Sequence, residues 1–404
     1  MEKKKKSYFL SRFKFLKLKD FGHIILAFLA FIPAIFAKIF IRDFWLVCED
    51  RNDARDNGYW FFRYVREHYP KQKIAYAINK KSVDYSKVKP LGKIIRFGGF
   101  SHWFWYFVAD KNISSQKNGK PNAAVCYLIE VVLKLRRKNR YFLQHGVIIN
   151  DNEFVHYKNT YMYRFVVSTQ DEYDFVTSRF GYPEGAISLC GLCRFDNLND
   201  FVVDKDTILI MPTWRQWISK GVEMKEIEGS DVFEETNYFK HWSSLINNEK
   251  LIDLLEKNNK RLIFYLHRNM QKFVDCFKSK SDRVIVASSQ EYDIATLLKK
   301  SALLITDYSS VFFDFVYMKK PIIFYQFDEK IFRKYQYADG YFDYKDTPLA
   351  EWCEKEDELV SKIKSSIEND YKLKDEKAVK KYFPSIDGNN CQRNYEMIKG
   401  KKKK

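Results

Sequence analysis

The stretch "LLITDYSSVFFDFVYMKKPIIFY", residues 303–325, decides the fold. Leu303 to Thr306 read as a buried strand. Asp307, Tyr308, Ser309 and Ser310 make a polar turn, apolar residues at helical spacing follow, and a second buried strand starts after Pro321. Strand, polar turn, helix and strand together form the repeating unit of a parallel sheet with crossover helices. The turn falls where a strand's carboxyl end meets a helix's first turn. Backbone N–H groups there lack internal partners and sit at the positive end of the helix dipole, so an anion is stabilised. Asp and Ser are also ordinary N-capping residues, and capping is the commoner reason for finding them there.

The same alternation continues in both directions. "DFWLVCED", residues 43–50, predicts a strand over Phe44 to Cys48. "RNDARDNGYWFFRYVREHYP" follows as a polar turn and a helix, with Trp60, Phe61, Tyr64 and Val65 at helical spacing and Pro70 after its end. Further strands are read at "KIAYAIN", "KIIRFGG", "NRYFLQHGV" and "RFVVSTQ", and in the second half at Ile208 to Met211 and in "RLIFYLHRN" and "DRVIVASS". Residues 219–235 are polar and charged and read as an insertion or flexible loop. The fold class expected is α/β with two Rossmann-like domains, bounded at 43–196 and 197–385.

A basic and apolar membrane-association segment, 1–42, precedes them, and a basic tail, 386–404, follows. Residues 1–20 carry eight basic and two acidic side chains, and the last six residues add five lysines. Most of the formal +18 therefore sits on two ends. The body is only moderately basic, which argues against a dedicated nucleic-acid binder. Basic ends beside an apolar run suit an anionic membrane surface instead. "IILAFLAFIPAIFA", residues 24–37, falls short of the roughly 20 apolar residues of a clean span and contains Pro33. We expect a helix lying in or dipping into the membrane on its cytoplasmic face, peripheral or shallowly inserted. The alternatives are a short span, a signal peptide or a buried first helix of the domain. Seven scattered cysteines argue for a reducing compartment, and the lone Cys190-Gly-Leu-Cys193 has no second pair to complete a zinc site.

In open α/β sheets, ligands collect beyond the carboxyl ends of the strands. There the sequence places His145 and Gly146 in the first half. In the second half it places Thr213 and Arg215, then His267 and Arg268, then Asp307, Ser309 and Ser310. Arg215 is a forked, permanently charged donor suited to phosphate oxygens, although a lone Arg more often makes a surface ion pair. His267 can donate to phosphate or carry a proton. His145, followed by a glycine that permits close approach or positive φ, can act as a general base. Either histidine is equally readable as structural. No Walker cradle, no G-x-G-x-x-G and no histidine metal spacing occurs, so neither a metal nor a cofactor is expected.

At these residues the sequence resembles the CDP-glycerol glycerophosphotransferase family, the teichoic-acid polymerase-like proteins. "LLITDYSSVFFDFVYMKKPIIFYQFD" is similar to that family's C-terminal signature, "MPTWR" to its loop ending in arginine, and "LQHG" and "YLHRN" to its two histidine motifs. "GLCRFDNL" and "EDRNDARDNGYWFFRYVREHYP" also match in order, so the resemblance covers roughly residues 43–385. It implies a GT-B fold with two domains facing a cleft. It implies attack by an acceptor hydroxyl on the β-phosphorus of CDP-glycerol or another CDP-polyol, with CMP leaving. The product would extend a lipid-linked polymer of the teichoic-acid or capsule type. Carried over, His145 is the acceptor-side base and His267 the second catalytic histidine. Thr213, Arg215, Asp307, Ser309 and Ser310 would surround the CDP-polyol, and Asp314 would be structural. The departures are Arg268 in place of proline, Cys193 in place of proline, Asp339-Gly340 in place of an Arg-Gly pair, and Val147-Ile148 after the first histidine motif. They bear on which polyol is used. The alternative activities are a GT-B glycosyltransferase using a nucleotide sugar, or a non-catalytic assembly protein.

Overall fold

The computed structural model describes residues 16–135, 139–338, 340–383 and 385–400. The lysine-rich first 15 residues, the last four and Asp339 lie outside them. The chain divides into two compact units. The first runs to Val147 and adds Asn152–Asn197 and the residues from Asp387 on; the second is Ile148–Asp151 with Leu198–Ile386.

The sheet of the first unit contains β1 (Trp45–Val47), β2 (Ile74–Ile78), β3 (Lys93–Arg96), β4 (Lys111–Ser114), β5 (Arg140–Phe142), β6 (Arg164–Val167) and β7 (Ile187–Leu189). All are parallel, in the order β3-β2-β1-β4-β5-β6-β7. The second unit has β8 (Asp204–Ile210), β9 (Arg261–Tyr265), β10 (Val284–Ala287), β11 (Ser301–Thr306), β12 (Ile322–Tyr325) and β13 (Glu351–Cys353), parallel in the order β10-β9-β8-β11-β12-β13. Both are doubly wound sheets. Their strand order reverses between β1 and β4 and between β8 and β11, where such folds open a crevice at the carboxyl ends. β11 is buried along its whole length, which is why its middle, Ala302 to Ile305, reads as an unbroken apolar run.

Period-two alternation sorts the first unit's core into two faces. Trp45 and Val47 point to one side and pack with Phe61, Phe62 and Val65 of the helix Asn57–His68. Leu46 and Cys48 point to the other, against Trp103 and Tyr106 of the helix Phe100–Val108. The expected basic tail is partly something else. Asn390–Lys399 is a helix whose Cys391, Tyr395 and Ile398 join the Trp45 face. Its apolar stripe is hidden in sequence because the residues between are polar and lysines follow. Residues 219–235 are likewise ordered, as short helices Met224–Glu228 and Phe233–Glu235 anchored by buried Met224 and Phe233 and by Trp217 Nε1 donating to Glu228 Oε1 at 2.8 Å. Two anchors in a charged stretch are too few to show as periodicity.

The apolar N-terminal run forms one helix, Leu18–Phe40, continuous through Pro33. The proline gives up one backbone hydrogen bond, which a 23-residue helix tolerates. By length and composition it could cross a membrane. Ala27, Ala30 and Ala34 lie one turn apart and let the helix sit close on the domain, in the Leu46 and Trp103 face. Asp20 caps the helix start and accepts from Asn122 Nδ2 at 2.9 Å. Phe28, Ile32, Ile35, Phe36 and Ile39 point outward and are about half exposed or more.

In the loop after β4, a Cβ on Gly119 would lie 2.4 Å from the carbonyl oxygens of both Cys48 and Glu49. Backbone cannot yield there as a flexible side chain could. Gly119→Ala is expected to lower stability by about 1–3 kcal/mol in a denaturant melt, the cost of overpacking. Gly22→Ala, with nothing within 4 Å of the added carbon, should leave it unchanged or slightly raised.

Candidate functional site

The second unit gathers its sequence-predicted residues at the carboxyl ends of β9, β8 and β11, three neighbouring strands. β8 ends at Ile210 and its loop carries Thr213 and Arg215; β11 ends at Thr306 and leads into Asp307, Ser309 and Ser310; β9 leads to His267. The loops are tied together strand by strand. Thr306 Oγ1 donates to the Met211 carbonyl at 2.6 Å. Asp307 Oδ1 accepts the backbone N–H groups of Thr213 and Tyr308, each at 2.7 Å. The Tyr308 N–H also reaches Thr213 Oγ1 at 3.3 Å.

Arg215 is wholly buried. Its Nη2 donates to Asp307 Oδ2 at 2.8 Å and to Asp328 Oδ1 at 2.9 Å, its Nε to Asp328 Oδ2 at 2.7 Å, and its Nη1 to the Thr213 carbonyl at 2.8 Å. The rings of Tyr238, Tyr308 and Phe332 lie 5.0–5.3 Å from the guanidinium carbon. The sequence suggested a side chain reaching for phosphate. The structure turns the guanidinium inward, where it braces the loop against two carboxylates. Burial works against the charged guanidinium, but Asp328 and Asp307 outweigh it and hold its pKa above the ordinary value. Burial lifts the Asp307 carboxyl above its usual range, and the Arg215 charge pulls the other way.

With Arg215 and Asp307 turned inward, Ser309, Ser310 and His267 are left half-exposed on this rim, with Trp214 half-exposed and Arg268 exposed beside His267. The helix behind the serines, Phe312–Tyr317, is six residues long. Local N–H groups and hydroxyls, more than a long dipole, make this turn suited to an anion. Asp314 is buried within that helix. His267 caps the next turn, its Nδ1 accepting the Asn269 N–H at 3.2 Å, so the neutral ring carries its proton on Nε2. The ring lies parallel to Trp214, with centroids 6.0 Å apart.

His145 stands in the first unit, exposed after β5. The left-handed residue of its loop is Gln144, at φ 64°, one position before the histidine. Asn57 clamps the loop: its Nδ2 donates to the Gln144 carbonyl at 2.6 Å and its Oδ1 accepts the Arg194 N–H at 2.8 Å. Arg194 Nη1 in turn reaches the His145 carbonyl at 2.7 Å and Asp56 Oδ1 at 3.2 Å. Glu49, buried at the end of β1, accepts the N–H groups of Arg55, Asp56 and Tyr59 at 2.7–3.2 Å and so shapes the turn that presents Asn57. Glu49, Asn57, Arg194 and Asp328 were not picked out as site residues from sequence. Their signal, an acidic turn before a helix and an Arg directly after the C-x-x-C, has no chemistry until the loops meet. Cys190 and Cys193 are buried free thiols, and a buried Cys391 donates weakly to the Cys193 carbonyl. Gly340 lies so close to the Ile149 carbonyl that a Cβ would sit 1.5 Å from the oxygen. Among the described residues, no group of three or more histidine, cysteine or carboxylate side chains is placed to share a metal ion.

Two doubly wound parallel-sheet units, one with a braced rim of loops at its switch point, define a two-domain α/β protein of GT-B type. The chain belongs to the CDP-glycerol:poly(glycerophosphate) glycerophosphotransferase family, whose model matches residues 41–400. It is 31% identical over 372 residues to the minor teichoic acid biosynthesis protein GgaB of Bacillus subtilis strain 168, a match covering 88% of this chain and 39% of that one. The teichoic acid poly(glycerol phosphate) polymerase of the same strain is 40% identical over 81 residues, 20% of this chain and 11% of the polymerase. The chain thus spans well under half the length of these curated relatives. The solved structure of the wall teichoic acid polymerase TagF superposes with a TM-score of 0.64 at 18% identity, covering 96% of this chain and 100% of that one.

Breaking the brace should be costly. Arg215→Met leaves Asp307 and Asp328 buried without their cation and is expected to lower stability by about 3–5 kcal/mol in urea unfolding. Arg215→Lys, which cannot serve both carboxylates in a forked geometry, should fall between the two.

Proposed function

We propose that this chain transfers a polyol phosphate, glycerol phosphate foremost, from a CDP-polyol to a hydroxyl of a lipid-linked acceptor, in teichoic-acid or capsule-type polymer synthesis. The observation that carries this reading is the rim of Ser309, Ser310 and His267 held open by the Arg215 brace, in a chain whose family match runs nearly end to end. TagF, which shares the fold, has also been solved with CDPG.

In this reading the diphosphate sits against the turn at Ser309 and Ser310. Their hydroxyls and the adjacent N–H groups meet its charge, and His267 Nε2–H donates to a phosphate oxygen. Thr213, Arg215 and Asp307 hold that turn in place. The acceptor oxygen attacks the β-phosphorus, the bond from that phosphorus to the bridging oxygen of CMP breaks, and CMP leaves with the electron pair. His145 takes the acceptor proton. Positioning and charge stabilisation supply the catalysis, with no covalent intermediate on the protein. The exposed apolar face of Leu18–Phe40 rests in the cytoplasmic leaflet, next to a lipid-linked acceptor and a soluble nucleotide donor.

The test is CMP release from CDP-glycerol and CDP-ribitol, assayed separately with acceptor membranes. CMP from one donor supports the reading and identifies the polyol. Release of a nucleoside diphosphate from a nucleotide sugar instead would favour glycosyl transfer. His145→Ala and His267→Ala should each reduce the rate by about 10²-fold or more. The first should leave the melting temperature unchanged, and the second should lower stability by no more than the loss of its cap on Asn269, about 1 kcal/mol. Ser309→Ala combined with Ser310→Ala should act mainly on KM for the donor.

A further inference from the structure

At the amino-terminal edge of the first sheet, away from the strand ends that carry His145, a cleft of about 530 Å³ opens beside Arg42, Lys71, Lys73 and Lys399. Its remaining lining includes Asp43, Gln72 and the rings of Tyr69 and Tyr395, which stack 3.6 Å apart. Asp43 is the one carboxylate in the lining, and it is already neutralised. It accepts from Lys399 and from Trp45 Nε1 and lies 3.6 Å from Lys111. Burial works against its charge, but these partners outweigh that and hold its pKa below the usual range. Lys399 is spent on Asp43 and Gln72. Arg42, Lys71 and Lys73 have no ion-pair partner among the described residues.

The position of this cleft matters as much as its charge. Arg42 comes two residues after the end of the Leu18–Phe40 helix, whose Ile39 and Phe40 are 59% and 82% exposed. Asp43 takes a left-handed conformation, φ 53°, as the chain turns from that helix into β1. An apolar helix face therefore ends at a polar, cation-lined cleft with aromatic walls. That sequence of surfaces matches a bilayer read from acyl chains to headgroup, where aromatic rings and cations gather.

We propose that the Arg42–Lys71–Lys73 cleft binds the phosphodiester headgroup of an anionic lipid. It would fix the depth and rotation of the helix on the membrane, which a uniformly apolar face leaves undetermined. The proposal builds on the membrane placement above but is separable from the catalytic assignment.

The experiment is sedimentation of the full chain with phosphatidylcholine vesicles and with vesicles that also contain phosphatidylglycerol. Arg42→Gln, Lys71→Gln and Lys73→Gln are combined, and Lys80→Gln, Lys81→Gln and Lys89→Gln, beyond the carboxyl end of β2, form the control. Each basic residue at an anionic surface contributes roughly fivefold in binding, so the cleft variant should bind the anionic vesicles at least about tenfold more weakly. Its binding to neutral vesicles should be unchanged, because the apolar helix is intact. An equal loss in the control would show diffuse charge attraction and overturn the proposal. Loss of neutral-vesicle binding in the wild type would instead remove the membrane reading on which it rests. Soluble poly(glycerol phosphate) is the last arm. If the cleft variant loses affinity for that polymer and keeps it for anionic vesicles, the cleft serves the polymer and the lipid assignment fails.

Discussion

One buried guanidinium organises the second unit. Arg215 leaves the end of β8, turns inward and joins a carboxylate after β11 to another after β12. Those three strands are neighbours in the sheet, so a single side chain sets the relative heights of three loops. An ion pair this deep is a weak source of net stability, since desolvation consumes most of the attraction. Its value is specificity of arrangement. Asp307 has both oxygens committed, two backbone N–H groups on one and the guanidinium on the other, and the turn that follows has one available shape. Ser309 and Ser310 are presented because Asp307 and Tyr308 cannot move.

The first unit reaches a comparable result by other means. Its buried cations, Arg140 and Lys120, pair with Glu130 instead of bracing the His145 loop. A buried carboxylate, Glu49, collects the N–H groups of a turn, and a side-chain amide, Asn57, grips both the Gln144 carbonyl and the Arg194 N–H. Arg194 then anchors His145 by its carbonyl and leaves its imidazole on the exposed side. In both units the groups with chemical potential are carried by loops, and the groups that fix those loops are buried or, like Arg194, mostly covered and hydrogen-bonded. This is the expected division of labour when a rigid sheet positions a mobile chemistry.

The N-terminal helix shows how one element can serve two solvents. A stripe of three alanines allows close approach to the domain, while the opposite side keeps bulky Phe, Leu and Ile exposed. A fully buried core helix would bury that bulk, and an isolated span would have no reason for the alanine stripe. Its outer face has the composition of a lipid contact, and its inner face is part of the fold.

The local pattern alone was enough to establish the alternation of strands and helices, the two parallel sheets and the location of His145, His267, Thr213, Arg215, Asp307, Ser309 and Ser310 at strand ends. Buried parallel strands such as β11 and helices with a clear stripe such as Asn57–His68 are written in short-range periodicity, so residue order reveals them. What that order could not supply was direction and partnership. Whether Arg215 faces a ligand or the interior depends on Asp328, 113 positions later, and the clamp on His145 depends on Asn57 and Arg194, 137 positions apart. The helix Asn390–Lys399 was concealed because its few apolar residues acquire meaning only against Trp45, at the opposite end of the chain. Periodicity is a property of neighbours in sequence, whereas these side chains get their roles from neighbours in space, and only folding makes those known.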